Sequence, residues 1–409
     1  MSRHSAGFRA AAATSIAEED VLATIAIITD NDFNKVNGVT TTLKAVLRHA
    51  PADLRVRVYT SADLSVDEPD YCAMASWGVG LPWYPDMRIY WPHVQQLRRR
   101  LAADGAQALH LTTPGPMGLA ARWMWRRANL PMVGSYHTHL GDYVTTYSGS
   151  GALGRGLEAY MRWLYAPCQT VLVPSAATHS KLQAHGYPAA QLQVWSRGVD
   201  TTCFRPSARS SALREAWHVD DRRPAILYAG RLSIEKGLSL LGPIQRRLNA
   251  LRLSHRFIFA GDGPMRAELA AMCPEAMFLG SIPHARVAEA MASADAFLFP
   301  SATDSLGNVV LEAQACGLPV LVTNQGGPQE HMVHGTTGWV CQAGSAHAFA
   351  DRLAGWLLTP GERRIMGEAA VTYAVARNWP AALEPLYRAW RAATDGHATT
   401  GISHRTGTA

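Results

Sequence analysis

Short apolar runs alternate with longer amphipathic stretches along almost the whole chain, and this rhythm predicts the elements. Residues 21–29 read as a buried strand, followed by a polar turn and a helix from about Thr40 to His49. Arg55–Thr60 alternates polar and apolar side chains and reads as a second strand. Leu109–Thr112, Pro131–Tyr136 and Thr170–Pro174 read as further short strands, with helices near 92–103, 116–128 and 175–185. From about residue 222 the rhythm restarts. Ala225–Ala229, Arg256–Ala260, Ala276–Leu279, Ala296–Pro300 and Pro319–Thr323 read as strands separated by helices. Strands that alternate with helices build parallel sheets covered on both faces. Two such series predict two doubly wound α/β domains in tandem, joined near 198–212 by the polar, irregular RGVDTTCFRPSARSS. The expected divisions are a disordered leader over 1–20, a first domain over 21–200 and a second over 201–360. Helices over 361–392, interrupted at Trp379–Pro380, pack back towards the first domain, and 393–409 forms a small, polar, mobile tail.

Composition narrows the class. At 409 residues with 48% hydrophobic and 17% charged side chains, the chain is too long for one core and too apolar for disorder. No apolar run reaches the roughly 18 residues of a bilayer-spanning helix. Glu18, Glu19 and Asp20 interrupt the early alanine stretch, which argues against a secretory signal. The six cysteines are scattered and form no CxxC pair, as expected of reduced, buried thiols in a cytosolic protein, with neither a disulfide framework nor a zinc site. The basic groups are 34 arginines and four lysines, and seven of those arginines fall between Arg88 and Arg127 against one acid, Asp104. Such a patch implies an anionic partner, and no nucleic-acid motif accompanies it. Arg98-Arg99-Arg100 and Arg122-Trp123-Met124-Trp125-Arg126-Arg127 suit an anionic membrane surface. The other reading is solvated helix faces with the tryptophans in the core.

Ligands of open α/β sheets bind beyond the carboxyl ends of the strands, so the loops there carry the candidate chemistry. The strand at 226–230 runs into a loop holding Arg231 and Lys236, a planar fork and a point charge that together suit a diphosphate. Phe257–Ala260 ends in the tight turn Gly261-Asp262-Gly263-Pro264. Ala296–Pro300 feeds Ser301–Asn308 and then Val309–Ala315, which puts Asp304 at an expected helix start and Glu312 eight residues on. On a helix these carboxylates lie about 12 Å apart along the axis, the span between the two ends of a nucleotide sugar. The helix N-terminus between them offers unpaired N–H groups and a positive dipole, and Gly307 lets the backbone approach. Taken singly, each feature has a plainer reading: solvated loop charges, a common turn, Asp304 as an N-cap and Glu312 as a surface charge.

Together GVD at 198–200 with Phe204 and Pro206, GRLSIEKG, GDGP and DSLGNVVLEAQACGLPVLVTNQGGPQE resemble the retaining glycosyltransferases of family 4. The look is nearest to sulfoquinovosyl-diacylglycerol synthases and bacterial mannosyl- or glucosyltransferases. The resemblance spans most of 21–345 and implies the GT-B architecture, two Rossmann-like domains facing a cleft, with the acceptor on the first and the nucleotide sugar on the second. It implies Arg231 and Lys236 as the diphosphate clamp and catalytic cations. Ser305, Leu306, Gly307, Asn308 and Val309 become the donor-binding segment, and Glu312 the ribose ligand. Asp304 stands where the family has glutamate, one methylene longer, to grip sugar hydroxyls. Gly38, in the loop after the first strand, is implied to face the donor phosphates, the alternative being a simple β-to-α turn. His137 is implied to sit beside the reacting sugar, hydrogen bonding to it or aligning the acceptor. His139 and Asp142 nearby could suggest a metal, but no further paired ligands cluster there, so none is expected. Gly149–Gly154 fits GxGxxG but follows no strand and reads as a mobile loop near the acceptor entrance.

The expected activity is transfer of a hexose, mannose from GDP-mannose or glucose from UDP-glucose, to a hydroxyl of a lipid or glycan, with retention. It needs no metal or cofactor and takes place in the cytoplasm, peripherally at the inner face of the cell membrane. The rivals are a GT-B epimerase or phosphorylase, or a sugar-nucleotide-binding protein without transfer.

Overall fold

Residues 22–33, 38–81, 84–128 and 130–403 are described by the structure, a computed structural model; the leader over 1–20 and residues 404–409 of the expected tail lie outside them. The first sheet takes β1 (Ala23–Ile28), β2 (Leu54–Ala62), β3 (Val66–Glu68) and β4 (Tyr71–Ala75) from the early chain. β5 (Gly78–Leu81) and β6 (Tyr84–Tyr90) form a separate antiparallel pair. The sheet is completed by β7 (Ala108–Leu111), β8 (Met132–Ser135), β9 (Thr170–Val173) and β10 (Leu192–Val194). Its order is β10-β9-β8-β7-β1-β2-β4-β3, parallel throughout except for β3 against β4. β1 reads ATIAII and is buried along nearly its whole length, as a parallel strand covered on both faces must be.

The second sheet is β11 (Ala225–Ala229), β12 (Arg256–Ala260), β13 (Met277–Gly280), β14 (Ala296–Phe299), β15 (Val320–Thr323) and β16 (Gly338–Cys341). All its pairs are parallel and the order is β13-β12-β11-β14-β15-β16. The direction of winding reverses between β11 and β14, which is where such a sheet opens a ligand crevice. All six cysteines are free and five are buried.

The two closing helices serve different domains. Helix Pro360–Val375 packs on helix Asn308–Ala315 of the second domain. Helix Trp379–Ser403 crosses to the first domain, where Leu383, Leu386 and Trp390 join a core with Ile25, Ile27, Val58 and Leu172. Tyr387 donates its hydroxyl to the Val46 carbonyl at 3.1 Å, and Arg391 grips Asp53 at 2.7 and 3.0 Å. Residues 393–403 therefore continue a helix where a mobile tail was expected. Its register is held by Ala393, fully buried, and by Thr394, whose hydroxyl bonds back to the Trp390 carbonyl at 3.2 Å. The GxGxxG stretch is likewise ordered. Gly149, at φ +69°, ends helix Leu140–Ser148, and Ser150 caps helix Gly151–Tyr165 by accepting from Leu153 N–H at 3.4 Å. It is a helix junction and not a loose loop.

Candidate active site

The loops leaving β11 and β14 meet at the reversal point and are tied to each other. Thr303 Oγ1 and Ser301 Oγ donate to the Glu235 carbonyl at 3.0 and 3.4 Å. The turn after β12 supports the first of these loops, with Leu232 N–H donating to Asp262 O and Met265 N–H to Leu232 O, both at 2.9 Å. A Cβ on Gly263, at φ +156°, would stand 2.4 Å from the Leu232 carbonyl, so the GDGP turn can press against the cation loop only with glycine there.

Lys236, assigned from sequence to the donor diphosphate, and Asp304, assigned to its sugar, lie in direct contact. The Lys236 ammonium donates to both Asp304 oxygens, at 2.8 and 3.0 Å. Burial opposes the lysine charge, yet the Asp304 carboxylate outweighs it and holds the ammonium above the usual lysine range. Tyr143, from helix Leu140–Ser148 of the first domain, is close enough to contribute to that shift, as is Tyr228 of β11. Arg231 opens the same loop, and its carbonyl accepts from the Tyr228 hydroxyl at 2.9 Å.

The expectation that Asp304 begins the helix is not met. Helix Asn308–Ala315 starts after Gly307, which takes φ +73° as its N-cap, so Asp304 belongs to the preceding loop and the 12 Å axial spacing to Glu312 does not apply. A Cβ on Gly307 would meet Pro328 at 3.0 Å and Phe299 at 3.2 Å on top of the unfavourable backbone. Asn308 and Val309 form the first turn, whose N–H groups have no intrahelical acceptor. Leu306 is buried, so its side chain is not offered to a ligand in the crevice. Glu312, one turn further on, is paired with His284 at 3.4 Å and is not part of the Lys236–Asp304 cluster. The hydrogen bond with Glu312 raises the pKa of His284 against burial, and Phe204 stacks edge-on at 4.8 Å. His284 had no sequence signal, since it opens an ordinary helix.

Gly38 begins helix Gly38–Arg48, and residues 34–37 of its loop lie outside the described residues. His137 reaches the cleft differently from the expectation. Its ring nitrogens are both engaged, Nε2 with Ser135 Oγ at 2.8 Å and Nδ1 with Arg197 at 3.1 Å, so neither is directed at a sugar or acceptor. Its carbonyl instead accepts from the hydroxyl of Ser305 across the cleft at 2.7 Å. A second bridge between domains is Glu330, whose two carboxylate oxygens accept from Ala176 and Ala177 N–H at the start of helix Ala176–Ala184, each at 2.7 Å. Neither Glu330 nor Arg197 was singled out from the sequence.

The arginine–tryptophan stretch is divided between pairing and exposure. Arg88 pairs with Asp63 at 2.8 Å and Arg100 with Asp67 at 2.6 Å. Trp125 packs against the core, whereas Trp91 and Trp123 are 56% and 40% exposed. No group of three or more His, Cys, Asp or Glu among the described residues is arranged to hold a metal ion.

Comparison with known proteins gives a consistent result. Residues 36–202 match the family model Glycosyltransferase Family 4, and residues 210–372 match Glycosyl transferases group 1. A GDP-mannose-dependent alpha-mannosyltransferase of Mycobacterium tuberculosis is 31% identical over 377 residues, covering 88% of this chain and 94% of the relative. The sulfoquinovosyl transferase SQD2 of Arabidopsis thaliana is 31% identical over 310 residues, 74% of this chain but only 59% of that protein's length. Among solved structures, the sucrose-phosphate synthase of Thermosynechococcus elongatus superposes with a TM-score of 0.73 at 20% identity, covering 91% of this chain and 100% of that one. That likeness shows the GT-B fold.

Proposed function

The chain belongs to glycosyltransferase family 4, and on that premise we propose that it transfers a hexose from a nucleoside-diphosphate sugar to a hydroxyl with retention of anomeric configuration. The observation that carries the reading is the contact between Lys236, on the loop after β11, and Asp304, on the loop after β14 that runs into the N-terminus of helix Asn308–Ala315. As the acceptor oxygen bonds to the anomeric carbon, the bond from that carbon to the diphosphate oxygen breaks. Its electron pair leaves with the diphosphate, which takes up the acceptor proton. Arg231, Lys236 and the first-turn N–H groups stabilise the charge that develops there. Mannose from GDP-mannose is the favoured donor because the M. tuberculosis relative uses it by name; glucose from UDP-glucose is the second.

The acceptor is a lipid or glycan hydroxyl presented at an anionic membrane. Supporting this, Leu119, Trp123 and Trp163 are exposed on helices Pro116–Ala128 and Gly151–Tyr165, with Arg122 4.0 Å over Trp163 and Arg127 3.9 Å over Trp123. Tryptophans with adjoining arginines suit a headgroup boundary. No helix among the described residues is long and apolar enough to cross a membrane. Flotation with anionic against neutral liposomes tests this, and equal recovery removes it.

The test of the transfer itself is incubation with each nucleotide sugar and a membrane extract, following labelled hexose and its anomeric configuration. Arg231→Ala should lower the rate by about 100- to 1,000-fold, and EDTA should leave it intact. Product formed without acceptor would favour an epimerase, and dependence on inorganic phosphate a phosphorylase.

A further inference from the structure

A chain of polar side chains runs through the interior of the first domain from the closing helix to His137. The Trp390 indole N–H donates to His110 Nδ1 at 2.8 Å. His110 Nε2 lies 2.8 Å from Ser135 Oγ, which lies 2.8 Å from His137 Nε2. Arg197 Nη2 lies 3.1 Å from His137 Nδ1. Trp390, His110 and Ser135 are fully buried and Arg197 is 4% exposed.

The two ends of this chain dictate where its protons are. An indole N–H and a guanidinium can only donate. Trp390 therefore makes His110 Nδ1 an acceptor, and the single proton of that neutral ring sits on Nε2. Arg197 does the same to His137 Nδ1, so the His137 proton also sits on Nε2. Both Nε2–H groups then donate to Ser135 Oγ and fill its two lone pairs. A second proton on either ring would set two donors face to face. Burial, followed by the Arg197 charge, acts in the same direction: His110 is pushed down to about 3 and His137 well below the ordinary histidine range. His331, the other histidine near Arg197, is also driven down to about 3, by burial first and then by Arg197 and Arg377.

Arg197 holds its place without a carboxylate partner among the described residues. Its guanidinium lies 3.9 Å over the Trp195 ring, and Nη1 donates to the Trp195 carbonyl at 3.0 Å. Immediately after it the chain crosses between domains. Val199 N–H donates to Arg377 O at 3.0 Å, so the outgoing and returning crossings are bonded to each other beside the network. A buried cation without a counter-ion is costly, and the Trp195 ring and carbonyl and the His137 ring are what offset that cost here.

We propose that Arg197 is a positioning residue for the transfer reaction: with Trp390 at the far end, it pins the His110–Ser135–His137 chain in one proton arrangement and holds the His137 main chain where the donor loop docks through Ser305. The ring of His137 is thereby withdrawn from acid–base chemistry. The kinetic part of this inference rests on the transferase reading above, and the proton arrangement does not.

The test combines imidazole 15N NMR, with His137 identified by loss of its signals in His137→Gln, and steady-state transfer kinetics. In the wild type, His137 and His110 should carry their protons on Nε2 and remain unchanged over about pH 5–8, where an ordinary histidine titrates. Arg197→Met should let His137 exchange tautomers, while burial, the larger cause of its low pKa, keeps the ring neutral. It should also lower kcat by about 100-fold with donor KM nearly unchanged, as misplacement near the reacting atoms does. Arg197→Lys, which keeps a cation and a donor, should recover part of that loss. A wild-type His137 that titrates or carries its proton on Nδ1 overturns the proposal, as does an Arg197→Met enzyme turning over at the wild-type rate. If Arg197→Met fails to fold, Trp390→Phe supplies the kinetic arm, with tautomer exchange at His110 and a reduced kcat expected; an unchanged kcat and spectrum would overturn the proposal. A wild type with the stated tautomers but no transfer from any nucleotide sugar overturns the transferase reading and the role of Arg197 in it, while the proton arrangement stands.

Discussion

Replacing Asp304 with asparagine keeps the shape of the side chain but removes the charge that holds Lys236 Nζ at 2.8 and 3.0 Å. A phosphate oxygen hydrogen-bonded to the opposite side of that ammonium would sit roughly 5–6 Å from the carboxylate, a repulsion of roughly 3 kcal/mol at an effective dielectric near 20. The lysine and aspartate side chains are 14% and 19% exposed, so solvent screens part of this, leaving about 1.5–3 kcal/mol. Asp304→Asn should therefore bind nucleoside diphosphate about 10- to 100-fold more tightly than the wild type. Without ligand, the same change strands a partly buried ammonium, which costs up to about 3–5 kcal/mol when burial is complete. The free variant should melt at a lower temperature and regain more stability from GDP or UDP than the wild type does. Transfer should nevertheless fall, because the sugar hydroxyls lose their carboxylate. Calorimetric titration with GDP and UDP, with melting curves alongside, measures both effects. Diphosphate binding that is weaker or unchanged in Asp304→Asn would refute the assignment of Lys236 to the phosphates.

Glu330→Ala removes the acceptor of two inter-domain N–H bonds, each worth about 1.5–3 kcal/mol when the acceptor is charged. The variant should show a larger radius of gyration by X-ray scattering and a higher donor KM, and an unchanged scattering curve would count against Glu330 as an inter-domain tie. His284 has its pKa raised by its bond to Glu312, so its stabilising contribution is complete below about pH 6.5 and fades as pH rises through the folded value. The melting-temperature difference between wild type and His284→Gln should accordingly be largest in mild acid and shrink above neutrality. A difference independent of pH would show that the pair does not titrate with folding. Arg391→Ala breaks the grip on Asp53 at the surface of the closing helix and should cost no more than about 1 kcal/mol, with activity retained. A large loss of activity would mean that this helix is held mainly by that pair rather than by Leu383, Leu386 and Trp390.

The alternation of apolar runs and helical stretches carried the tandem α/β architecture, because parallel strands such as β1 and β11 are buried on both faces and stand out as continuous apolar segments. The segment from residue 63 to 90 was opaque for the opposite reason. It holds β3, β5 and β6, short antiparallel pieces at an edge or outside the sheet, and β4, buried and parallel to β2 but only five residues long. Among the described residues no helix separates these strands from one another to mark the α/β rhythm. Lys236 and Asp304 were each legible as candidates after a strand, but their contact, across 68 positions, was not. Asp304 was placed on a helix because nothing in DSLGN reveals that Gly307 turns left-handed and delays the helix to Asn308. The His110–Ser135–His137–Arg197 chain was hidden for a related reason. His137 was singled out, but His110, Ser135 and Arg197 are unremarkable polar positions in strands or an irregular stretch, and only the parallel register of β7 beside β8 brings His110 to Ser135.

The proposed transfer requires the donor diphosphate to lie between the β11 loop carrying Arg231 and Lys236 and the N-terminus of helix Asn308–Ala315. The most direct measurement is a crystal structure of the enzyme soaked with GDP or UDP. Both phosphates should lie within hydrogen-bond reach of Arg231, Lys236 and the Asn308–Val309 backbone, with the ribose hydroxyls on Glu312. Phosphates found instead in the first domain's own crevice between β1 and β7, beside Asp30 and Thr113, would contradict it.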